Sequence, residues 1–118
     1  MILIDGKKLP VSPAEMTVTV MDLDNAETTT RTADGTLSRD RIAVKRQIRL
    51  GWNALRWEDL SAILKMMQAP FFEVTYPDTV SGDIETRIFY VDNREAPFGF
   101  TRNGVTWWRG LQFTLTER

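Results

Sequence analysis

The chain has 118 residues, 42% of them hydrophobic, with 15 basic against 16 acidic side chains and a formal net charge of −1. That length reads as one domain, and the charge balance supplies no global attraction to nucleic acid or acidic membranes. Neither histidine nor cysteine is present, which removes the usual general base, the thiol nucleophile, disulfides and two common soft metal ligands.

Met1-Ile2-Leu3-Ile4-Asp5-Gly6 lacks a basic region ahead of a long apolar stretch, so no signal peptide is expected. No apolar run approaches the roughly 18 to 20 residues of a membrane span. The expected location is the cytoplasm of the producing cell. Met1 to Ile4 starts a short strand, Asp5-Gly6 is a hairpin-type turn, and Lys7 to Leu9 returns before Pro10 and Pro13 break regular structure. Met16 to Met21 alternates, with Met16, Val18 and Val20 on one face and threonines on the other, which predicts a strand extending to about Leu23.

Residues 25–38 are polar and threonine-rich, with Asp34-Gly35 near the far end. A segment this long is unusual in a small domain. It reads either as a two-stranded arm or as a mobile loop, with ordering on assembly favoured. Arg39 to Leu50 alternates again: Ile42, Val44, Ile48 and Leu50 share a face that Arg46 interrupts. Trp57 to Gln68 is the one predicted helix. Its stripe runs through Leu60, Ile63, Leu64 and Met67, with Trp57 continuing it backward; Glu58 and Asp59 sit in the first turn, and Pro70 stops it.

Phe71 to Tyr76 and Ile84 to Val91 predict a β-hairpin. The second arm is apolar on both faces, with Ile84, Ile88 and Tyr90 on one and Phe89 and Val91 on the other, so it reads as a central strand or one covered by a partner. Asn93 to Gly104 reads as a loop, and Val105–Trp108 and Leu111–Leu115 as the last strands.

Several groups invite a chemical reading. Asp22-Leu23-Asp24 with Glu27 is the most metal-like cluster, but the Gly-bearing loop of such sites is absent, and a strand end entering a loop is the favoured reading. Asp22, Asp24, Glu73 and Glu85 supply carboxylates, yet no nucleophile–base pair is evident, so no reaction is assigned and no cofactor or metal is expected. Residues 39–56 hold six bases and one acid, a local charge of +5, so the rest of the chain sums to −6. That strip reads as a solvated strand, as a subunit interface facing acidic surface on a neighbouring copy, or as a nucleic-acid surface; the missing aromatic interleaving argues against the last. Trp107 and Trp108 must point to opposite faces of a strand. One fills the core; the other, with Arg109, suits an interface anchor, with carbohydrate stacking as the rival. Phe98-Gly99-Phe100 places apolar surface in the preceding loop, either folded over the core or used in contact.

Several stretches together resemble a family of small phage and prophage proteins from tailed phages of Gram-positive bacteria. They are Ile4-Asp5-Gly6-Lys7-Lys8-Leu9-Pro10, Val20-Met21-Asp22-Leu23-Asp24 with Glu27, Arg39-Asp40-Arg41, Leu50-Gly51-Trp52, Asp59-Leu60-Ser61, Phe72 to Asp78, and Phe113 to Arg118. The resemblance spans essentially the whole length and carries no catalytic motif. It implies a virion tail-module protein with the sandwich or barrel of tail-tube and distal-tail proteins, in which long loops reach neighbouring subunits. Such a protein would sit in the bacterial cytoplasm during assembly and then in the virion tail.

The expected fold is α+β and mainly antiparallel: a sandwich or split barrel of about seven or eight strands with one packed helix. The expected core is Val18, Val20, Ile42, Val44, Ile48, Leu60, Ile63, Leu64, Met67, Phe72, Val74, Ile88, Tyr90, Phe113 and Leu115. The expected function is structural, by self-assembly into a ring or other homo-oligomer or by docking to other tail proteins. Its contact residues are Thr29, Arg31, Asp34, Arg39, Arg41, Lys45, Arg49, Trp107, Trp108 and Arg109. The alternative is a prophage-encoded accessory module that binds a host protein or nucleic acid.

Overall fold

A computed structural model describes residues 2–24, 30–31, 37–38 and 41–118. In chain order its elements are β1 (Leu3–Ile4), β2 (Lys7–Lys8), β3 (Glu15–Asp24), β4 (Thr30–Arg31), β5 (Leu37–Ser38), β6 (Arg41–Trp52), β7 (Leu55–Arg56), α1 (Trp57–Lys65), β8 (Phe72–Pro77), β9 (Ile84–Val91), β10 (Phe98–Arg102), β11 (Val105–Trp108) and β12 (Leu111–Glu117). Seven strands form one sheet in the order β2-β1-β8-β9-β12-β6-β3; β10-β11-β7 form a second, and β4 pairs with β5. Every pairing is antiparallel. The fold is therefore α+β, dominated by antiparallel sheet, with one packed helix.

Turn chemistry sets the short hairpins. Asp5 and Gly6 have φ of 49° and 78°, and Asn103 and Gly104 have 52° and 76°. Two consecutive positive φ angles define the two-residue turn whose twist matches its flanking strands. The second of these turns corrects one expectation. Residues 98–102 are strand β10, paired with β11, while 93–97 of the expected 93–104 loop lie outside any strand and Asn103-Gly104 form the turn.

The large sheet curls. The six residues between β2 and β3 connect its two opposite edges. Flat, seven strands would separate those edges by about 29 Å, while the connection reaches about 25 Å at full extension. Trp52 Nε1 donates to the Val11 carbonyl at 2.8 Å and the Ala14 amide to the Gly51 carbonyl at 2.8 Å, tying the connection to the end of β6. Inside the curl, Ile2, Ile4, Phe72, Val74, Tyr76, Phe89, Leu111, Phe113, Leu115, Ile48, Leu50 and Trp52 form one cluster with Leu60 and Ile63 of α1, Met67 just past its end and Leu55 of β7.

Helix α1 ends at Lys65 with Met66 as its C-cap, three residues before the expected Gln68. Trp57 is 58% exposed and stands off the core rather than extending the stripe. Ile48, Leu60, Ile63, Met67, Phe72, Val74, Phe113 and Leu115 are buried as expected, and Val18 and Leu64 pack partly against the core. Val20, Val44, Ile88 and Tyr90 are exposed, against expectation. The side chain of Ile42 lies outside the described residues.

The β9 error is one of face. Phe72 pairs with Phe89 across the β8–β9 hairpin, so Phe89 and Val91 point inward and Ile88 and Tyr90 outward. Glu85 and Arg87 share the inner face with Phe89, which makes that face look polar in sequence. Val20 and Val44 lie on the core-facing side of β3 and β6, but past the point where β12 stops pairing with β6.

Candidate assembly surface

β3 and β6 pair from Glu15↔Gly51 to Asp24↔Arg41, whereas β12 accompanies β6 only from Trp52 back to Gln47. Beyond Gln47 the two strands run on as a ribbon with no further strand beside them among the described residues. Among its residues with described side chains, Val20 and Val44 are the exposed apolar ones. A radius of gyration of 18.4 Å, against about 13 Å for a compact chain of this size, fits a body with a projecting part.

A buried polar cluster anchors the base of the ribbon. Arg46 Nε donates to Asp78 Oδ1 at 2.9 Å and Nη2 to Oδ2 at 3.3 Å. Asp78 Oδ1 also accepts from the Tyr76 hydroxyl at 3.1 Å, and Oδ2 from the amides of Val80 and Ser81 at 3.2 and 3.0 Å. Both members of the ion pair are buried, Arg46 at 6% and Asp78 at 4% exposure. The guanidinium of Arg46 holds the Asp78 carboxyl well below the usual carboxylate range, overcoming the opposing effect of burial. Burial first, and the neighbouring carboxylate second, push the Tyr76 hydroxyl up to about 12. The Glu117 carboxylate closes the cluster: Oε1 accepts from the Arg46 amide at 2.8 Å and Oε2 from Arg87 at 3.3 Å. Arg87 also reaches Glu85 Oε2 at 3.1 Å. This joins the ribbon strand to the end of β12 and to the β8–β9 turn. Asp78 was not among the expected site residues. The signal for it was Arg46 itself, a charge on the apolar face of a strand, which requires a buried counter-ion.

The ten expected contact residues divide as follows. Thr29, Asp34 and Arg39 lie outside the described residues. Arg31 falls in β4, which pairs with β5 through Thr30↔Ser38 and Arg31↔Leu37, and Arg41 opens β6. The rest of the 25–38 segment lies outside the described residues. Lys45 stands opposite Met21, and Arg49 opposite both Thr17 and Thr114, on the outer face of the large sheet. With the Gln112 amide turned so that its oxygen faces the guanidinium, Oε1 accepts from Arg49 Nε at 2.9 Å and Nη2 at 2.6 Å.

Trp107, Trp108 and Arg109 belong to the second sheet and its exit. The two indoles take opposite faces. Trp107 has the Arg56 guanidinium 5.5 Å above its ring, while Trp108 packs toward the core and meets Phe98 edge-on at 5.3 Å. Trp108 Nε1 is buried and unpaired among the described residues. Arg109 Nε donates to the Phe98 carbonyl at 3.1 Å, so this arginine secures the β10–β11 hairpin. Phe98 and Phe100 stay about half exposed. The described part of the expected contact set is thus split among three sheets.

The carboxylates do not converge. Glu73 pairs with Ile88 on the outer face, whereas Glu85 lies on the inner face against Arg87. Asp22 and Asp24 sit within β3, and Glu27 lies outside the described residues. Among the described residues no group of three potential ligands is placed to hold a metal ion, and no helix is long and apolar enough to cross a membrane. Compared with protein-family models, curated proteins and solved structures, the chain matches none.

Proposed function

We propose that this chain is a structural component of a phage or prophage tail, acting by self-assembly or by docking to neighbouring tail proteins rather than by catalysis. The observation that carries the reading is the ribbon. Two strands outrun the sheet that stabilises them and keep apolar residues in water. A two-stranded ribbon is at best marginally stable alone, and apolar surface held clear of a core marks contact sites. The anchoring of its base through buried Arg46 and Asp78 supports a ribbon aimed in a fixed direction. The tail assignment rests on the family resemblance of the sequence.

Size exclusion coupled to light scattering over a concentration series, with negative-stain images of each peak, tests the reading. Rings, tubes or discrete oligomers are expected. A monomer at every concentration that also captures no co-expressed tail protein contradicts it, and a DNA shift with steep salt dependence would favour a nucleic-acid binder instead.

A further inference from the structure

From the strand edges we infer that β3 is an open edge that accepts the basic strand β6 of a second copy of this chain, so that the large sheet continues from one copy to the next; this rests on the assembly reading above. An exposed strand edge invites pairing with another chain, and natural proteins blunt the edges they do not use. The other edges here are blunted. β2, the opposite edge of the large sheet, has two residues, Lys7 and Lys8, and β7 also has only two. β10 is interrupted by a register shift between Phe98 and Phe100.

β3 carries none of these devices along most of its length. It has ten residues with no proline, glycine or lysine, and its only irregularity is a register shift at Leu23/Asp24. From about Thr17 onward no strand pairs with its outer side among the described residues. A second open stretch lies on β6. β12 stops pairing at Gln47, and the Glu117 side chain takes the Arg46 amide, so residues 41–45 have β3 on one side and no strand on the other among the described residues.

Charge selects the match. Along the open stretches β3 carries Asp22 and Asp24 and no base, whereas β6 carries Arg41 and Lys45 and no acid. Two β3 edges brought together repel, and so do two β6 edges, while β3 against β6 pairs unlike charges. The joint is therefore head-to-tail, and repetition of a head-to-tail contact closes into a ring or continues as a filament.

The test is amide hydrogen exchange on the intact chain at low and high concentration, with three variants. Thr19 is exposed and stands opposite Gln47, so substitutions there leave the core alone; far-UV spectra and melting temperature check this. Assembly should add protection in residues 17–24 and 41–45. Thr19→Lys should weaken association tenfold or more, Thr19→Glu should leave it intact, and Lys45→Glu added to Thr19→Lys should restore it. Oligomers without new protection in those segments, full assembly by Thr19→Lys, or no rescue by Lys45→Glu would each overturn the β3–β6 joint while leaving assembly itself standing. Absence of any oligomer would overturn the joint, and failure to capture a co-expressed tail protein as well would overturn the assembly reading with it.

Discussion

Replacing Asp78 by alanine removes the ion-pair partner of a guanidinium that is 6% exposed, and it also strips acceptors from the Tyr76 hydroxyl and the Val80 and Ser81 amides. Breaking a buried ion pair from one side costs about 3–5 kcal/mol, because the remaining charge stays buried without compensation. A domain of this length has an unfolding entropy near 0.25 kcal/mol/K, so each kcal/mol lowers the melting temperature by about 4 °C. Asp78→Ala should therefore melt about 12–20 °C lower in a calorimetric scan. Replacing both partners with apolar residues, as Arg46→Met with Asp78→Leu, should recover a good part of the loss, since isosteric apolar pairs often replace buried ion pairs at little cost. Hydrogen exchange on Asp78→Ala should show greater loss of protection at the ribbon base, residues 44–47, than at β8–β9 residues remote from the turn. A melting point within about 3 °C of the parent would mean that the pair carries less than 1 kcal/mol, and the anchor described above would be wrong.

The pH dependence follows from the same cluster. Asp78 has a folded pKa below its unfolded value, so its contribution is present above about pH 4 and is lost as pH falls through the folded value; acid melts of Asp78→Asn should lack most of that limb. Tyr76 has a folded pKa raised to about 12, so its contribution, up to about 2–3 kcal/mol, is present below about pH 10 and lost between 10 and 12; Tyr76→Phe should flatten that alkaline limb in urea titrations. Phe89→Ala should cost about 3–5 kcal/mol in chemical denaturation, while Ile88→Ala on the outer face should cost under about 1 kcal/mol; the reverse order would invert the β9 face. A Cβ at Gly99 would lie 2.6 Å from the Trp107 carbonyl oxygen, so Gly99→Ala should destabilise the chain by about 1–3 kcal/mol and loosen the β10–β11 hairpin in hydrogen exchange.

Much of the fold was legible because local signals agreed with the tertiary answer. The alternation of β6, the stripe of α1 and the Asp5-Gly6 turn each mark their element without outside information. The β9 face was not legible. Glu85 and Arg87 make the inward face look polar, and only the register Phe72↔Phe89 and the cluster around Glu117 explain why it is inside. Val20 and Val44 show the opposite case. Their alternation is that of a core strand, yet the third strand that would cover them ends at Glu117. Phe98-Gly99-Phe100 read as loop because a lone glycine between aromatics resembles a turn; in the fold Gly99 lets β10 approach the Trp107 backbone. Of the proposed contact surface, the basic strand was visible as a charge run, but the contrast with acidic β3 became meaningful only once the two were seen to be neighbours with open edges.

Sedimentation velocity should be run on the full chain and on a variant in which the ribbon, residues 21–44, is replaced by a short glycine linker, at matched concentrations. If the ribbon carries assembly, the full chain sediments as oligomers whose share grows with concentration, and the shortened chain shifts toward a folded monomer. Oligomers of the same size and affinity in both would place the contact elsewhere on the molecule and contradict the role given to the ribbon.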